Sequence, residues 1–327
     1  MAEQEMRKKI IVADIQLFLL AIIWGAGFVA GKIALETTTP FYQVAYRYLG
    51  AALFMLPLAL PRLRSVHKKT LLAGMAVGAL MFVGNCFQTI GLLYTTPAKQ
   101  SFIVPSYTVI VPLLSFLFFR EKPGKRLILA AFLAMAGIGI LTLNSDLSME
   151  YGDLLTLIFA FIFSLQVIIT GRLVNHIDIT VYTLVTMVTA AVLAFAGAFF
   201  METPLPPSHI SLRSWMGIAY LGILNTALAY LLQNMAQRYA PASHTALIMS
   251  LETVFGTLFA VLLVGETFTL RKTIGCVVMF CAILLPKLPL PFHRRSRHGD
   301  AVDEPADSIT TEDLSRPGCR ATDRPPV

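Results

Sequence analysis

Apolar residues do not alternate with polar ones along this chain; they come in long blocks. Ile15–Gly31, Leu127–Leu143, Leu154–Gly171 and Thr273–Leu285 contain no Asp, Glu, Lys or Arg. An α-helix needs about 20 mostly apolar residues to cross the hydrocarbon core of a bilayer. The blocks predict ten such helices, at 13–34, 41–60, 71–92, 99–119, 126–143, 152–171, 180–201, 214–235, 243–264 and 271–288. The connections between them are short, so consecutive helices must run antiparallel as neighbours in one bundle. No connection is large enough to be a soluble catalytic domain.

Composition agrees with this pattern. The chain of 327 residues is 56% hydrophobic and 14% charged, whereas a soluble domain carries roughly 25% charged residues. The expected fold class is therefore an all-α membrane protein. The run after Arg7, Lys8 and Lys9 is too long for a signal-peptide core and no small-x-small cleavage pattern follows it, so it reads as a retained first span.

The net charge of +7 in a soluble domain would suggest nucleic acid, but here the basic residues cluster between spans. Seventeen Lys and Arg flank the spans on one side and five (Lys32, Lys99, Arg213, Arg271, Lys272) on the other. The positive-inside rule then puts both termini in the cytoplasm, and no nucleic-acid partner is expected. The segment 1–12 is the cytoplasmic start. Residues 289–327, with Pro305, Pro317, Pro325 and Pro326 and mixed charge, read as a disordered cytoplasmic tail. Cys86, Cys276, Cys281 and Cys319 have no C-x-x-C or His-rich spacing, which argues against both disulfide and metal. The first three are expected to fill space within the core of the bundle. No cofactor is expected.

The second half of the chain echoes the first. At an offset of 145, Gln88 meets Gln233, Tyr94 meets Tyr239, Glu121 meets Glu266 and Arg126 meets Arg271. Pro97 and Ala98 meet Pro241 and Ala242 at 144, and Asp14 meets Asp153 at 139. The expected repeats are 13–143 and 152–288. Each holds an odd number of spans, so the two insert in opposite orientations, which is the architecture that makes alternating access natural.

In its motifs the sequence resembles the drug/metabolite transporter superfamily, in its EamA-type branch. The resemblance rests on Trp24-Gly25-Ala26-Gly27-Phe28 with Lys32, and on Pro40 followed by Tyr46-Arg47-Tyr48-Leu49. It continues with Tyr94-Thr95-Thr96-Pro97-Ala98, Tyr239-Ala240-Pro241-Ala242 and Val264-Gly265-Glu266. It implies a ten-helix secondary carrier of the inner (plasma) membrane, often an exporter of amino acids, other metabolites or drugs. It also implies a central cavity lined by spans 1, 3, 4, 6, 8 and 9. Two departures are Arg120, where relatives often have Gly, and Leu251-Glu252-Thr253, where many have Pro after the Glu.

Candidate chemistry follows from the cost of burying polar groups. A charge at the centre of a span costs roughly 2.5–3.5 kcal/mol on insertion scales. Glu252, in mid-span, is the leading candidate for proton coupling or for a substrate ammonium; a structural carboxylate is the alternative. His244, two turns earlier, is a second candidate for proton coupling or else a satisfied interfacial imidazole. Lys32, with Glu36 one turn on, and Arg47 read as structural charges. The candidate substrate-binding set on the implied cavity spans is Trp24, Asn85, Gln88, Gln100, Ser101, Tyr107, Gln166, Asn225, Tyr230, Gln233 and Asn234. About half of these are expected to face the cavity, the rest bonding between helices. Pro105 and Pro112 in span four are candidate gating prolines, since each removes a backbone donor. Gly27-x-x-x-Gly31 and Gly74-x-x-x-Gly78 read as packing motifs.

The expected function is a secondary transporter whose partners are a small-molecule substrate, the lipid bilayer and, as an open alternative, protons. No G-x-x-x-x-G-K-[ST] loop is present for ATP. An intramembrane enzyme is disfavoured by the lack of G-x-S-x-G and H-E-x-x-H. A channel or receptor is disfavoured by internal pseudo-symmetry without a ring of like residues. Substrate and oligomeric state are not legible in the sequence.

Overall fold

The computed structural model describes residues 2–120, 124–142, 149–265 and 270–285. The expected tail, Glu121 and Glu266 lie outside the described residues. Among the described residues ten helical segments coincide with the apolar blocks: α1 (Ala2–Ala34), which begins eleven residues before the expected start and takes in most of the segment 1–12, α2 (Pro40–Ala59), α3 (Lys68–Tyr94), α4 (Pro97–Phe119), α5 (Lys125–Thr142), α6 (Tyr151–Leu173), α7 (Ile179–Met201), α8 (Leu212–Ala236), α9 (Ala242–Val264) and α10 (Leu270–Leu284). Eight of them are long and apolar enough to cross a membrane. Within the described residues α5 and α10 are 18 and 15 residues long. The outward faces are strongly apolar: Phe199, Phe200, Leu212 and Leu262 are among many large apolar side chains left exposed. Such a surface suits lipid rather than water.

The helix ends show how the sequence sets the boundaries. α2 starts at Pro40, whose missing N–H costs nothing at that position. Its free N–H groups at Phe41 and Tyr42 donate to the Glu202 carboxylate at 3.0 and 3.2 Å, which ties the start of α2 to the end of α7. α7 is capped by Asp178, which accepts from Thr180 N and Val181 N. α8 is capped by Ser211 and α4 by Thr96.

Packing between helices obeys a pseudo-two-fold that exchanges the halves. Spans α2 and α7, α4 and α9, and α5 and α10 each pack against their own counterpart. The larger contacts besides these come in exchanged pairs: α1 with α9 and α6 with α4; α1 with α8 and α6 with α3; α2 with α8 and α7 with α3. This is the arrangement of inverted repeats.

Two helices are interrupted at equivalent points. α4 tightens to a 3₁₀ turn at Val104–Ser106, around Pro105. α9 breaks at Ser250 and Leu251, 145 residues on from that turn's last two residues, without a proline; there Ser250 Oγ bonds back to Leu247 O, a contact that bends helices. Pro112, by contrast, sits inside the helical run Tyr107–Phe119 without breaking it.

Close helix contacts need small residues. Gly74 and Gly78 pack on α7, where an added Cβ would lie 2.8 Å from Val185 Cβ and 2.7 Å from Thr186 O. At the α3–α6 crossing, a Cβ on Gly152 would lie 2.6 Å from Gly91 O and 2.7 Å from Tyr94 C. Backbone cannot rotate away as a side chain can. Gly152→Val is therefore expected to lower the thermal midpoint of the protein in detergent, at an overpacking cost of about 1–3 kcal/mol; an unchanged melt would contradict this packing. Cys86 is buried as expected, but Cys281 is exposed on the outer face, because its position on α10 points away from α5 and the bundle.

Candidate functional site: a polar cavity in the bundle

A cavity lies inside the bundle between the two halves. It is bordered by α1 (Trp24, Gly27, Phe28, Gly31), α2 (Gln43, Arg47), α3 (Gln88, Thr89, Leu92), α4 (Gln100, Val104), α6 (Phe159, Phe163), α8 (Leu221, Asn225, Tyr230) and α9 (Glu252). The volume open to the centre of a water-sized sphere is about 50 Å³. One water needs about 10–15 Å³ on this measure, so the cavity as it stands holds a few waters. A larger solute requires the lining helices to separate.

One wall is built on Asn225. It sits in a widened π-helical turn of α8, Tyr220–Leu228, a feature that occurs mostly at functional sites. Its carbonyl accepts the Trp24 indole N–H at 2.9 Å, its amide donates to Ile23 O at 3.2 Å, and its Oδ1 accepts from Arg47 Nη2 at 3.0 Å. Arg47 Nε donates to Thr226 Oγ1 at 2.5 Å. The reach is short because α2 and α8 cross at two glycines: a Cβ on Gly222 would lie 2.8 Å from Arg47 O and 3.5 Å from Gly50 Cα. A guanidinium has five N–H donors. Two are engaged here among the described residues, which leaves donors for the cavity.

The other polar wall is Glu252. It is 2% exposed and accepts one hydrogen bond, from the Tyr107 hydroxyl at 3.0 Å. Among the described residues no basic group lies within ion-pair distance of it. Tyr107 and Glu252 are 145 residues apart, the repeat offset itself. The pair therefore joins equivalent points of α4 and α9 on the pseudo-two-fold axis. The same cavity is bordered by an aromatic cluster: Trp24 meets Phe163 and Tyr230 edge-on at 5.4 and 5.5 Å. Gln43 Oε1 is buried and has no hydrogen-bond partner among the described residues.

Of the binding residues expected from sequence, Trp24, Gln88, Gln100, Asn225 and Tyr230 border the cavity, together with Glu252. Tyr107 stands behind Glu252. The others bond between or along helices. Asn85 donates to Tyr48 Oη and Met81 O, Ser101 to Ala98 O, and Asn234 to Thr183 Oγ1. Gln166 donates to Thr170 Oγ1 and accepts from Gln233.

Three charged candidates, His244, Lys32 and Arg47, find partners far along the chain. His244 is not among the residues that border the cavity. Eight residues of helix separate it from Glu252 by about 12 Å along the axis, and His244 Nε2 lies 2.7 Å from Asp14 Oδ1, where the charge-free apolar run of α1 begins. Lys32 does not pair with Glu36; its ammonium donates to Leu92 O at 3.0 Å, and Glu36 pairs with Arg213 at 3.5 Å. Arg47 anchors α2 to α8 through Thr226 and Asn225, as a structural charge would, and also borders the cavity, as do Gln43, Gly27 and Gly31. The signal for Arg47 was its place six residues into an apolar span, where it cannot reach water. Nothing local could have announced Gln43.

Comparison with known proteins agrees with this architecture. The model of the EamA-like transporter family matches the chain twice, at residues 11–143 and 150–286. An uncharacterized transporter of Archaeoglobus fulgidus is 30% identical over 280 residues, covering 86% of this chain and 87% of that protein. The uncharacterized transporter YyaM of Bacillus subtilis is 25% identical over 83% of this chain and 92% of that one. The uncharacterized inner membrane transporter YedA of Escherichia coli is 25% identical over 83% and 89%. A solved crystal structure superposes with a TM-score of 0.66 at 16% identity, covering 84% of this chain and 96% of that chain; this likeness bears on fold alone.

Proposed function

Since the chain belongs to the EamA-like transporter family and is a multi-pass membrane transporter, we propose that it is a secondary exporter of small zwitterionic solutes, of which amino acids are the simplest. Both termini face the cytoplasm in this reading, as the Lys and Arg distribution argues. An inner-membrane location accords with the name of the Escherichia coli relative. The observation that carries the substrate class is the pairing of one buried cation, Arg47, with one buried acid, Glu252, across an aromatic cavity. Arg47 offers N–H donors in fork geometry to a carboxylate. Glu252, with no cation of its own, offers a partner for an ammonium. Trp24, Phe163 and Tyr230 supply apolar surface for the side chain between.

In the absence of solute a proton is the other species that compensates a buried carboxylate. Proton and ammonium would then compete for Glu252, so that inward proton movement drives the solute outward. The test is flux in proteoliposomes of the purified protein, with amino acids and matched compounds lacking either charged group. Saturable flux of the zwitterion, accelerated by an opposing pH gradient and lost when either charge is removed from the solute, is the expected result. Flux that ignores the solute's carboxylate would remove Arg47 from the mechanism and the zwitterion from the proposal.

A further inference from the structure

Two ion pairs lie at opposite ends of the bundle, and the repeat relates them. Lys99, three residues into the segment Pro97–Ile103 of α4, lies 2.9 Å from Asp153 at the start of α6 and 2.8 Å from Glu150 just before it. His244, at the start of the segment Ala242–Met249 of α9, lies 2.7 Å from Asp14, where the charge-free apolar run of α1 begins. Lys99 and His244 are 145 residues apart, and Asp14 and Asp153 are 139 apart. These are the offsets that superimpose α4 on α9 and α1 on α6. The chain crosses the bundle with each span, which puts the Asp14–His244 pair at the end where α1 begins and the Lys99–Asp153 pair at the other.

Each pair holds a segment that ends in a helix break. Pro97–Ile103 is bounded by the 3₁₀ turn at Val104–Ser106, and Ala242–Met249 by the break at Ser250 and Leu251. The breaks meet the cavity through Val104 and Glu252. Each ion pair thus ties the outer part of a half-helix, whose inner end is the break beside the cavity, to a neighbouring helix, and both are tied while the cavity holds only a few waters. The geometry points to Asp14–His244 and Lys99–Asp153 as two equivalent latches, one closing each end of the bundle, whose release in turn opens the cavity to one side and then the other. This rests on the carrier reading above.

The latches differ in chemistry. Asp153 is fully buried and also accepts from Thr95 Oγ1 at 2.7 Å. The side chains of Asp14 and His244 are 42% and 38% exposed. Histidine changes charge across the physiological pH range and lysine does not. The charged or titratable groups on elements packed around His244 are Glu5, Arg7, Lys8, Lys9 and Asp14 of α1, Arg120 after α4, Arg172 of α6, and Arg238 and Tyr239 before α9. Of these, Asp14 is within ion-pair distance of the imidazole.

The test reads distances without any substrate, and so stands apart from the flux experiment. Pairs of spin labels on exposed positions, Ile11 with Tyr239 at one end and Leu93 with Leu154 at the other, are introduced with the native cysteines replaced by serine. Asp14→Asn or His244→Gln is expected to add a longer-distance population at the first end alone, and Lys99→Gln at the second end alone. The exchanged pair, Asp14→His with His244→Asp, is expected to restore the short distance. If Lys99→Gln does not fold, Asp153→Asn reads the same end. Unchanged distances, lengthening at both ends at once, or failure of the exchanged pair to restore the short distance would each overturn the latches. Normal distances behaviour with no flux for any solute would instead count against the proposed substrate.

Discussion

Replacing Arg47 with methionine is expected to weaken binding of a zwitterionic solute by about tenfold to a hundredfold. A hydrogen bond to a charged group contributes roughly 1.5–3 kcal/mol, and each 1.4 kcal/mol is a factor of about ten. The same substitution is expected to change little for a solute whose carboxylate has been amidated, because that solute has no anion for the guanidinium to meet. Methionine keeps an apolar stem but ends two atoms short of the terminal guanidinium nitrogens, and Thr226 Oγ1 and Asn225 Oδ1 lose their donor. Some loss of stability is therefore expected as well, and binding must be measured on folded protein at a temperature below the shifted midpoint. Arg47→Lys is expected to recover only part of the affinity, since an ammonium keeps the charge but cannot reach Thr226, Asn225 and a carboxylate in one plane. Isothermal titration of the two solutes against wild type and both variants decides it. Equal losses for the acid and its amide would make Arg47 a structural residue.

Substituting Glu252 by glutamine is expected to remove the pH dependence of transport while leaving the fold intact. Glutamine keeps the shape and can still accept from the Tyr107 hydroxyl, which bonds Glu252 Oε1 at 3.0 Å. What it loses is the ability to exchange a proton for a substrate ammonium. In wild type the carboxylate is the ammonium's partner only when ionised. As pH falls through its titration range the apparent affinity should weaken by up to about tenfold per pH unit. In Glu252→Gln that slope should vanish, affinity should sit near the low-pH value of wild type, and an imposed proton gradient should no longer drive solute against its own gradient. Exchange of labelled for unlabelled solute should continue at a reduced affinity. A variant that still concentrates solute on a pH gradient would place the coupling elsewhere. Tyr107→Phe is a useful companion: it withdraws the one hydrogen bond made to Glu252 across the pseudo-two-fold axis without altering charge.

Much of this protein is legible in its sequence because a bilayer is an undiscriminating solvent. Any span must bury its backbone polar groups in a helix and clothe itself in apolar side chains. The apolar blocks therefore predicted the described helices, with starts within three residues except for α1, whose polar first turns continue the helix back to Ala2, and the repeat of Gln88, Tyr94 and Arg126 in Gln233, Tyr239 and Arg271 predicted the exchange of halves. The cost of charge in hydrocarbon singled out Glu252 for the same reason. Proline chemistry placed the break in α4, while the equivalent break in α9 has only Ser250 to announce it.

Which polar residue meets which was decided by tertiary structure alone. Gln166 and Gln233 resemble Gln88 and Gln100 in every local respect, yet the first two bond to one another and the second two border the cavity. Helical rotation fixes a side chain's direction only relative to its own axis; how the axes pack decides whether that direction leads to a neighbour or to the cavity. Arg47 became a cavity residue because Gly50 and Gly222 bring α2 and α8 close enough for it to reach Asn225. His244 found Asp14, 230 positions away in the chain, rather than Glu252 on its own helix. Hydrophobic periodicity is a property of one segment, and so the sequence by itself determined the helices; a site is a property of several segments at once, and so its residues were chosen by their packing.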